Sequence, residues 1–175
     1  TSRPKKDVLS QALAITTIEE RNAFYTSEEN STITDVVVIG SGPAGLMQAL
    51  TDAKHGKSVI LIEKRSEETF DIRPGLMDLD DDSIEHLKRI IDQDLHGLGG
   101  TVLTHIPKEE EDTEHKKSIA QIRIQLEKKP CHLQTKIIQR LLKTAIETKY
   151  ADQVTLIFDH EVSKADAHLQ TVQLD

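Results

Sequence analysis

The sequence is poor in cysteine and in aromatic residues, its basic residues are outnumbered by acidic ones, and each of these features argues against a class of protein. A single cysteine, Cys131, excludes an internal disulfide and fits a reducing compartment. Aromatic side chains make up 3% of the 175 residues and tryptophan is absent, which leaves little for stacking on nucleic-acid bases. The formal net charge is −8, so phosphate backbones would be repelled and no nucleic-acid partner is expected.

Long apolar runs and metal-ligand spacings are also missing. No stretch approaches the roughly 20 apolar residues that a membrane span needs, and the first residues lack the apolar core of a secretory signal. A cytoplasmic protein with no membrane span is therefore expected. Asp159-His160-Glu161 looks chelating, but neighbouring residues on a strand point to opposite faces, so no metal site is predicted.

The sequence does contain an apolar run followed by a glycine-rich turn. Val36-Val37-Val38-Ile39 is β-branched and unbroken, which predicts a strand buried on both faces in a parallel sheet. It enters the G-x-G-x-x-G motif Gly40-Ser41-Gly42-Pro43-Ala44-Gly45, and a helical pattern continues to Gly56. In such motifs the glycines permit a tight turn, a close approach of phosphate and close packing of helix on strand. The motif predicts a dinucleotide whose pyrophosphate lies at the helix N-terminus.

An acidic residue follows the next apolar run. Val59–Ile62 ends in Glu63, 18 residues after Gly45, where a carboxylate would accept hydrogen bonds from ribose hydroxyls. Glu63 disfavours a 2′-phosphate, although Lys64 or Arg65 could supply positive charge, and Lys64 is included among the predicted cofactor-binding residues. Two alternatives stay open: a βαβ unit whose glycines serve only packing, and a nucleoside site for a methyl donor.

Two regions are predicted along the chain. Residues 1–33 form an N-terminal helical extension, because apolar residues recur at helical spacing from about Asp7 to Phe24. Residues 34–175 are predicted to form a Rossmann-like βαβ domain of the α/β class, with a parallel sheet that binds a dinucleotide. The segment Ser66–Asp82 is polar and turn-rich, and a helix then begins with Ser83 or an aspartate as its N-cap and closes at Gly97.

The second half of the chain is predicted with one ambiguity. Ile122, Ile124 and Leu126 alternate with polar residues as in a half-buried strand, but Lys116–Lys129 could instead be a helix, and Pro130 ends either one. Thr135–Tyr150 is predicted as a helix and Val154–Phe158 as a buried strand. The last segment, Glu161–Leu174, is predicted as the start of a β-meander with its turn at Ala165-Asp166-Ala167.

The runs from Asp35 to about Leu95 and from Leu133 to Leu174 resemble the N-terminal part of flavin-dependent monooxygenases of the para-hydroxybenzoate hydroxylase type, a group that includes kynurenine 3-monooxygenase and MICAL. The resemblance implies FAD as cofactor, with NAD(P)H as electron donor. It assigns the FAD pyrophosphate to the glycine turn and the adenosine ribose to Glu63. It also implies that Arg73, in Arg73-Pro74-Gly75-Leu76, contacts the flavin side, and that Gln134 touches the sugar chain of FAD.

The family pattern is incomplete in this sequence. A later aspartate-glycine segment and a later glycine-aspartate segment are both missing, as is the inserted substrate-binding sheet. The chain is therefore expected to be truncated relative to the family, with the remainder of a longer polypeptide elsewhere. No side chain is an obvious acid, base or nucleophile, so none is predicted to be catalytic.

The expected function is the FAD-binding portion of a flavin-dependent oxidoreductase. The resemblance favours an NAD(P)H-dependent monooxygenase that hydroxylates a small or aromatic substrate. Another FAD- or NAD-dependent oxidoreductase and a non-catalytic dinucleotide-binding module are the alternatives. Neither the substrate nor the choice between NADH and NADPH follows from the sequence.

Overall fold

The computed structural model describes residues 34–72, 75–100, 118–166 and 171–174, and these ranges contain seven strands and four helices. In chain order the elements are β1 (Val36–Ile39), α1 (Pro43–Lys54), β2 (Val59–Ile62), β3 (Leu76–Leu79), α2 (Asp81–Asp94), α3 (Ile119–Gln125), β4 (Cys131–Gln134), α4 (Thr135–Lys149), β5 (Val154–Ile157), β6 (Val162–Asp166) and β7 (Thr171–Leu174).

A parallel three-stranded sheet forms the centre of the fold. Its strand order is β1-β2-β5, with Val38 opposite Leu61 and Leu61 opposite Leu156. Strands β1 and β2 with the intervening α1 form the predicted βαβ unit, so the α/β class with a parallel sheet is confirmed. The apolar faces of α1, α2 and α4 share one hydrophobic core with β2, and its fully buried members include Leu46, Leu50, Leu61, Ile90, Leu141 and Leu142.

Strand β1 is less buried than the sequence predicts. Only Val38 is buried, whereas Val37 is 37% exposed and Ile39 is 58% exposed. The prediction that this strand is buried on both faces is therefore wrong. The reason is position. Among the described strands β1 pairs only with β2 and lies at the edge of the sheet, with Val37 and Ile39 on the opposite face from Val38.

The polar segment before α2 contains a strand that the sequence analysis missed. Strand β3 pairs antiparallel with β4, with Leu76 opposite Gln134 and Leu79 opposite Cys131. Both strands have only four residues, and Leu76 is 65% exposed, so β3 has no alternation of buried and exposed residues to reveal it. The strand before α4 therefore belongs to a second, small sheet. The buried Cys131 is a free thiol within it.

Helices α2 and α3 decide between alternatives that the sequence-based predictions left open. Helix α2 begins with Asp80 as its N-cap, whose side chain accepts a hydrogen bond from the Ser83 N–H at 2.8 Å, so the aspartate alternative is correct. The ambiguous stretch is the helix α3. Ser118 and Gln121 form a reciprocal capping box at its start, and this local bonding favours a helix over a strand.

The chain ends in an antiparallel hairpin. Strands β6 and β7 pair with Asp166 opposite Thr171. Ala165 and Asp166 therefore belong to a strand and not to the predicted turn at Ala165-Asp166-Ala167, of which Ala167 lies outside the described residues. The predicted extension over residues 1–33 lies outside the described residues, and the division into 1–33 and 34–175 stays a prediction. Every helix within the described ranges is too short or too polar to cross a bilayer.

Asp94 joins the ends of three helices far from the glycine turn. Its buried carboxylate accepts hydrogen bonds from Lys149 Nζ at 3.1 Å and Tyr150 Oη at 3.0 Å, and pairs with Lys54 Nζ at 2.5 Å. Burial raises the pKa of Asp94, but the two lysines more than offset this, and the net pKa is lowered.

Replacing Asp94 with asparagine is expected to destabilise the fold by about 2 kcal/mol, because two lysines lose their buried counter-charge. Urea denaturation at neutral pH measures this. Lys54 is the last residue of α1, about 16 Å along the helix from its N-terminus, so binding of a ligand at the glycine turn should stay unchanged. An Asp94→Asn variant as stable as the wild type would contradict the assigned role of this carboxylate.

Candidate cofactor site

The glycine turn joins the carboxyl end of β1 to the start of α1. Gly40 has φ +93°, a left-handed conformation that favours glycine, and its N–H donates to the carbonyl of Ile62 on β2 at 2.7 Å. Helix α1 begins at Pro43, with Gly42 as N-cap. The turn therefore lies at the edge of the sheet where the carboxyl ends of parallel strands meet, the usual position of ligands in such sheets.

The N-terminus of α1 has hydrogen-bond donors without intrahelical acceptors. Gly42 provides no side-chain cap, and proline at the first helical position has no N–H of its own. The N–H groups of Ala44 and Gly45 in the first turn therefore depend on an outside acceptor. A Cβ placed on Gly42 would meet no atom within 4 Å, so the space beside it is open. This combination suits an anion such as a pyrophosphate.

Gly45 lets α1 pack directly on the turn. A Cβ at this position would lie 2.0 Å from the Gly40 carbonyl oxygen and 3.4 Å from a methyl group of Val38. Only glycine fits that contact. The third glycine of the motif therefore has the packing role that the sequence predicts, while the second glycine borders the open space.

Glu63 follows β2 as expected, but its carboxylate is already engaged within the protein. One oxygen, Oε2, accepts from the Ser41 N–H and the Ser41 hydroxyl, both at 2.8 Å, and from Arg65 Nη2 at 3.2 Å. The other, Oε1, accepts from the Arg65 N–H and Nε, both at 2.9 Å. Five donors exceed the roughly four acceptor positions of a carboxylate. Ribose hydroxyls could reach Glu63 only by displacing one of these donors.

The environment of Glu63 also fixes its charge. Burial alone would raise the pKa, but the hydrogen bonds from Arg65 and Ser41 outweigh it and lower the pKa to about 2. Glu63 is therefore ionised at neutral pH. Its hydrogen bonds to Ser41 hold the glycine turn to the end of β2.

Arg65 is a site residue that the sequence analysis named only as a source of charge. Its guanidinium pairs with Glu63, and its Nη1 atom is buried with no hydrogen-bond partner in the described part of the chain. The predicted residue Lys64, by contrast, points outward, with 61% of its side chain exposed and Glu161 at 3.9 Å. The spacing of Glu63 and Arg65, two apart beyond a strand, was the available signal.

A second part of the predicted site lies where β3 meets β4. Gly75 accepts a hydrogen bond from the Thr135 N–H at 2.9 Å, and Gln134, the N-cap of α4, carries an Oε1 atom that is buried without a partner among the described residues. Gly75 and Gln134 therefore lie close together, at the end of the β3–β4 pair. Arg73 and Pro74 lie outside the described residues, so the predicted role of Arg73 stays a prediction.

Helix α4 contacts the glycine turn through Gln139, a residue that the sequence analysis missed. Gln139 is 2% exposed, and its Nε2 donates to the Ser41 carbonyl at 2.9 Å and to the Phe70 carbonyl at 3.4 Å. It is the polar residue within the apolar stripe that Ile137, Ile138, Leu141 and Leu142 define. A glutamine inside such a stripe is the signal that could have identified it.

The end of β5 closes the site without forming a metal centre. His160 is buried, its Nδ1 lies 2.7 Å from the Phe158 carbonyl, and its backbone N–H donates to the Glu63 carbonyl at 3.2 Å. Its Nε2 has no partner among the described residues. Across the same residues no cluster of histidine, cysteine and carboxylate ligands is present.

Comparison with known proteins agrees with this geometry. The model of the FAD binding domain family matches residues 33–174, and the chain belongs to this family. FAD is therefore the cofactor that the family match supports. The open space beside Gly42, the free N–H groups of α1 and the unpaired atoms of Arg65 and Gln134 are compatible with such a group.

Individual proteins are similar to different shares of the chain. A soluble pyridine nucleotide transhydrogenase of Chromohalobacter salexigens is 64% identical over 31 residues, which are 18% of this chain and 7% of that protein. The p-nitrophenol 4-monooxygenase PnpA of Pseudomonas putida is 18% identical, with a TM-score of 0.44 over 78% of this chain and 34% of that one. The flavin-dependent monooxygenase PieE, solved with FAD and substrate, is 19% identical, with a TM-score of 0.48 over 81% and 28%. The chain thus spans well under half of these proteins.

Proposed function

We propose that this chain is the FAD-binding portion of an NAD(P)H-dependent monooxygenase that hydroxylates a small or aromatic substrate. The observation that carries the proposal is the open N-terminus of α1 behind the glycine turn, in a chain of the FAD binding domain family. The N–H groups of Gly42, Ala44 and Gly45 would bind the FAD pyrophosphate, with Ser41 and Pro43 shaping the turn. The reducing environment of the cytoplasm suits its single cysteine.

The remaining residues would hold the rest of the cofactor. Glu63 would bind the adenosine ribose, with Arg65 moving aside and Lys64 near the phosphate or sugar. Gln134 offers both a donor and an acceptor to the ribityl hydroxyls, and Arg73 would bring a charged donor to the flavin side. FAD supplies the redox chemistry when bound, and these residues bind and orient it.

Titration of the chain with FAD, NADH and NADPH tests the cofactor choice. Isothermal calorimetry should show FAD binding with a higher affinity than either nicotinamide dinucleotide. Free ADP, used as a competitor, should displace FAD because it carries the pyrophosphate and the ribose that the glycine turn and Glu63 contact. A chain that binds none of these ligands would overturn the proposal at its first step.

The reaction is tested on the complete polypeptide. A monooxygenase consumes NAD(P)H and oxygen together and places one oxygen atom in its product, which mass spectrometry with ¹⁸O₂ detects. A flavin reductase or dehydrogenase would oxidise the nicotinamide without labelled product. A non-catalytic module would bind FAD and show no turnover with any donor. Oxidation of NAD(P)H without labelled product, or no turnover at all, would rule out the monooxygenase assignment.

A further inference from the structure

We propose that Gln139 is a positioning residue that turns the Gly42 N–H toward the FAD pyrophosphate, an inference that rests on the proposed function. Gln139 does not touch the cofactor in this proposal. It acts by holding the Ser41 carbonyl of the glycine turn. This fixes the orientation of the Gly42 N–H, which belongs to the same peptide unit.

The first step is that all three polar groups of Ser41 are bound inside the protein. Ser41 is fully buried. Its N–H and hydroxyl donate to Glu63, and its carbonyl accepts from Gln139 Nε2 at 2.9 Å. Glu63, at the end of β2, and Gln139, on α4, thus hold the same residue from two different elements.

The second step follows from the planarity of the peptide bond. The Ser41 carbonyl and the Gly42 N–H belong to one trans peptide unit, in which C=O and N–H point in opposite directions. Because the Ser41 carbonyl points at α4, the Gly42 N–H points away from α4. Within the described ranges this N–H donates to no protein atom, and the space beside Gly42 is open.

The third step is the energetic cost of placing Gln139 in the core. A buried amide must be compensated by hydrogen bonds, and an apolar residue at this position of α4 would avoid that cost. Gln139 uses its amide nitrogen to hold two loop carbonyls, Ser41 and Phe70, and the loop at Phe70 leads to Arg73. The side chain therefore holds the glycine turn and the loop at Phe70 to the same helix.

The test compares Gln139→Met with Ile138→Met, which places the same side chain one residue away without removing a polar contact. Free energies of unfolding are measured by urea denaturation, and FAD affinities by calorimetry. Gln139→Met should weaken FAD binding at least about tenfold, the effect of one hydrogen bond to a charged group. Ile138→Met should bind FAD as the wild type does.

A spectroscopic measurement separates positioning from simple loss of stability. The ³¹P resonances of bound FAD report on the N–H groups around its pyrophosphate, so they should shift in Gln139→Met and stay in place in Ile138→Met. If Gln139→Met binds FAD with wild-type affinity and unshifted ³¹P resonances, the inference is wrong. The wild type then still binds FAD, so the proposed function would survive.

A wild-type measurement covers the case in which Gln139→Met does not fold. With ¹⁵N-labelled glycine, the Gly42 amide proton should move strongly downfield when FAD is added, because it gains a charged acceptor. An unmoved Gly42 resonance in a chain that binds FAD would overturn the inference alone. A wild-type chain that takes up no FAD would overturn the proposed function and the inference together.

Discussion

Replacing Gly45 with alanine is expected to destabilise the whole chain by at least about 3 kcal/mol, because a Cβ there overlaps backbone atoms. It would lie 2.0 Å from the Gly40 carbonyl oxygen and 3.2 Å from the Gly40 carbonyl carbon. No flexible side chain can move to relieve this contact, so α1 must shift away from β1. Since domains are stable by only about 5–15 kcal/mol, urea denaturation should show a large loss, with FAD binding lost as well.

The matched control is Gly42→Ala, three residues earlier in the same motif. Gly42 has φ −63°, which alanine adopts freely, and no atom lies within 4 Å of the position that the new Cβ would take. The free energy of unfolding should change by less than about 1 kcal/mol, while FAD affinity falls because a methyl group occupies the space beside the phosphates. Equal stabilities for the two alanine variants would contradict this division of roles.

Acid should destabilise the chain through Glu63 by about 3 kcal/mol, the free energy that corresponds to its lowered pKa. The pKa is about 2 in the folded chain against an ordinary value of 4.5. A carboxylate with a lowered folded pKa stabilises the fold fully above its unfolded pKa. That contribution is lost as the pH falls from about 5 to about 2, because the unfolded chain takes up the proton first.

The measurement is the difference in unfolding free energy between the wild type and Glu63→Gln from pH 7 to pH 2. Other lowered carboxylates, such as Asp52 and Asp94, titrate in both proteins and cancel in the difference. The wild-type advantage should shrink as the pH falls. In Arg65→Gln the loss should be smaller and should be complete at a higher pH, because without the Arg65 hydrogen bonds the folded pKa of Glu63 lies closer to its ordinary value. A difference that is independent of pH would show that Glu63 is not held by these hydrogen bonds.

The central part of the fold could be predicted because its signals are local. The β-branched run before Gly40, the G-x-G-x-x-G spacing and the acid at Glu63 lie within one continuous segment, and each has a stereochemical reason. The helix over Thr135–Lys149 was equally accessible, since its apolar stripe repeats over four turns. For these elements the sequence pattern and the tertiary contacts agree.

The remaining features depend on pairs of residues far apart in the sequence. Strand β3 exists because Leu76 meets Gln134, and nothing in a four-residue exposed segment indicates that partner. Gln139 lies 98 residues from the Ser41 carbonyl that it binds. Single-sequence reasoning detects periodicity and motifs, and it has no access to such long-range hydrogen bonds.

The exposed edge of strand β1 affects the stability measurements on the wild type and on every variant. It has no second neighbour among the described strands, and Val37 and Ile39 leave apolar surface beside its free backbone groups. Such an edge can recruit a strand from another molecule. Self-association through β1 would remove folded monomer from solution. The resulting loss of signal would resemble the low stability expected of Gly45→Ala. Each denaturation curve should therefore be repeated at several protein concentrations.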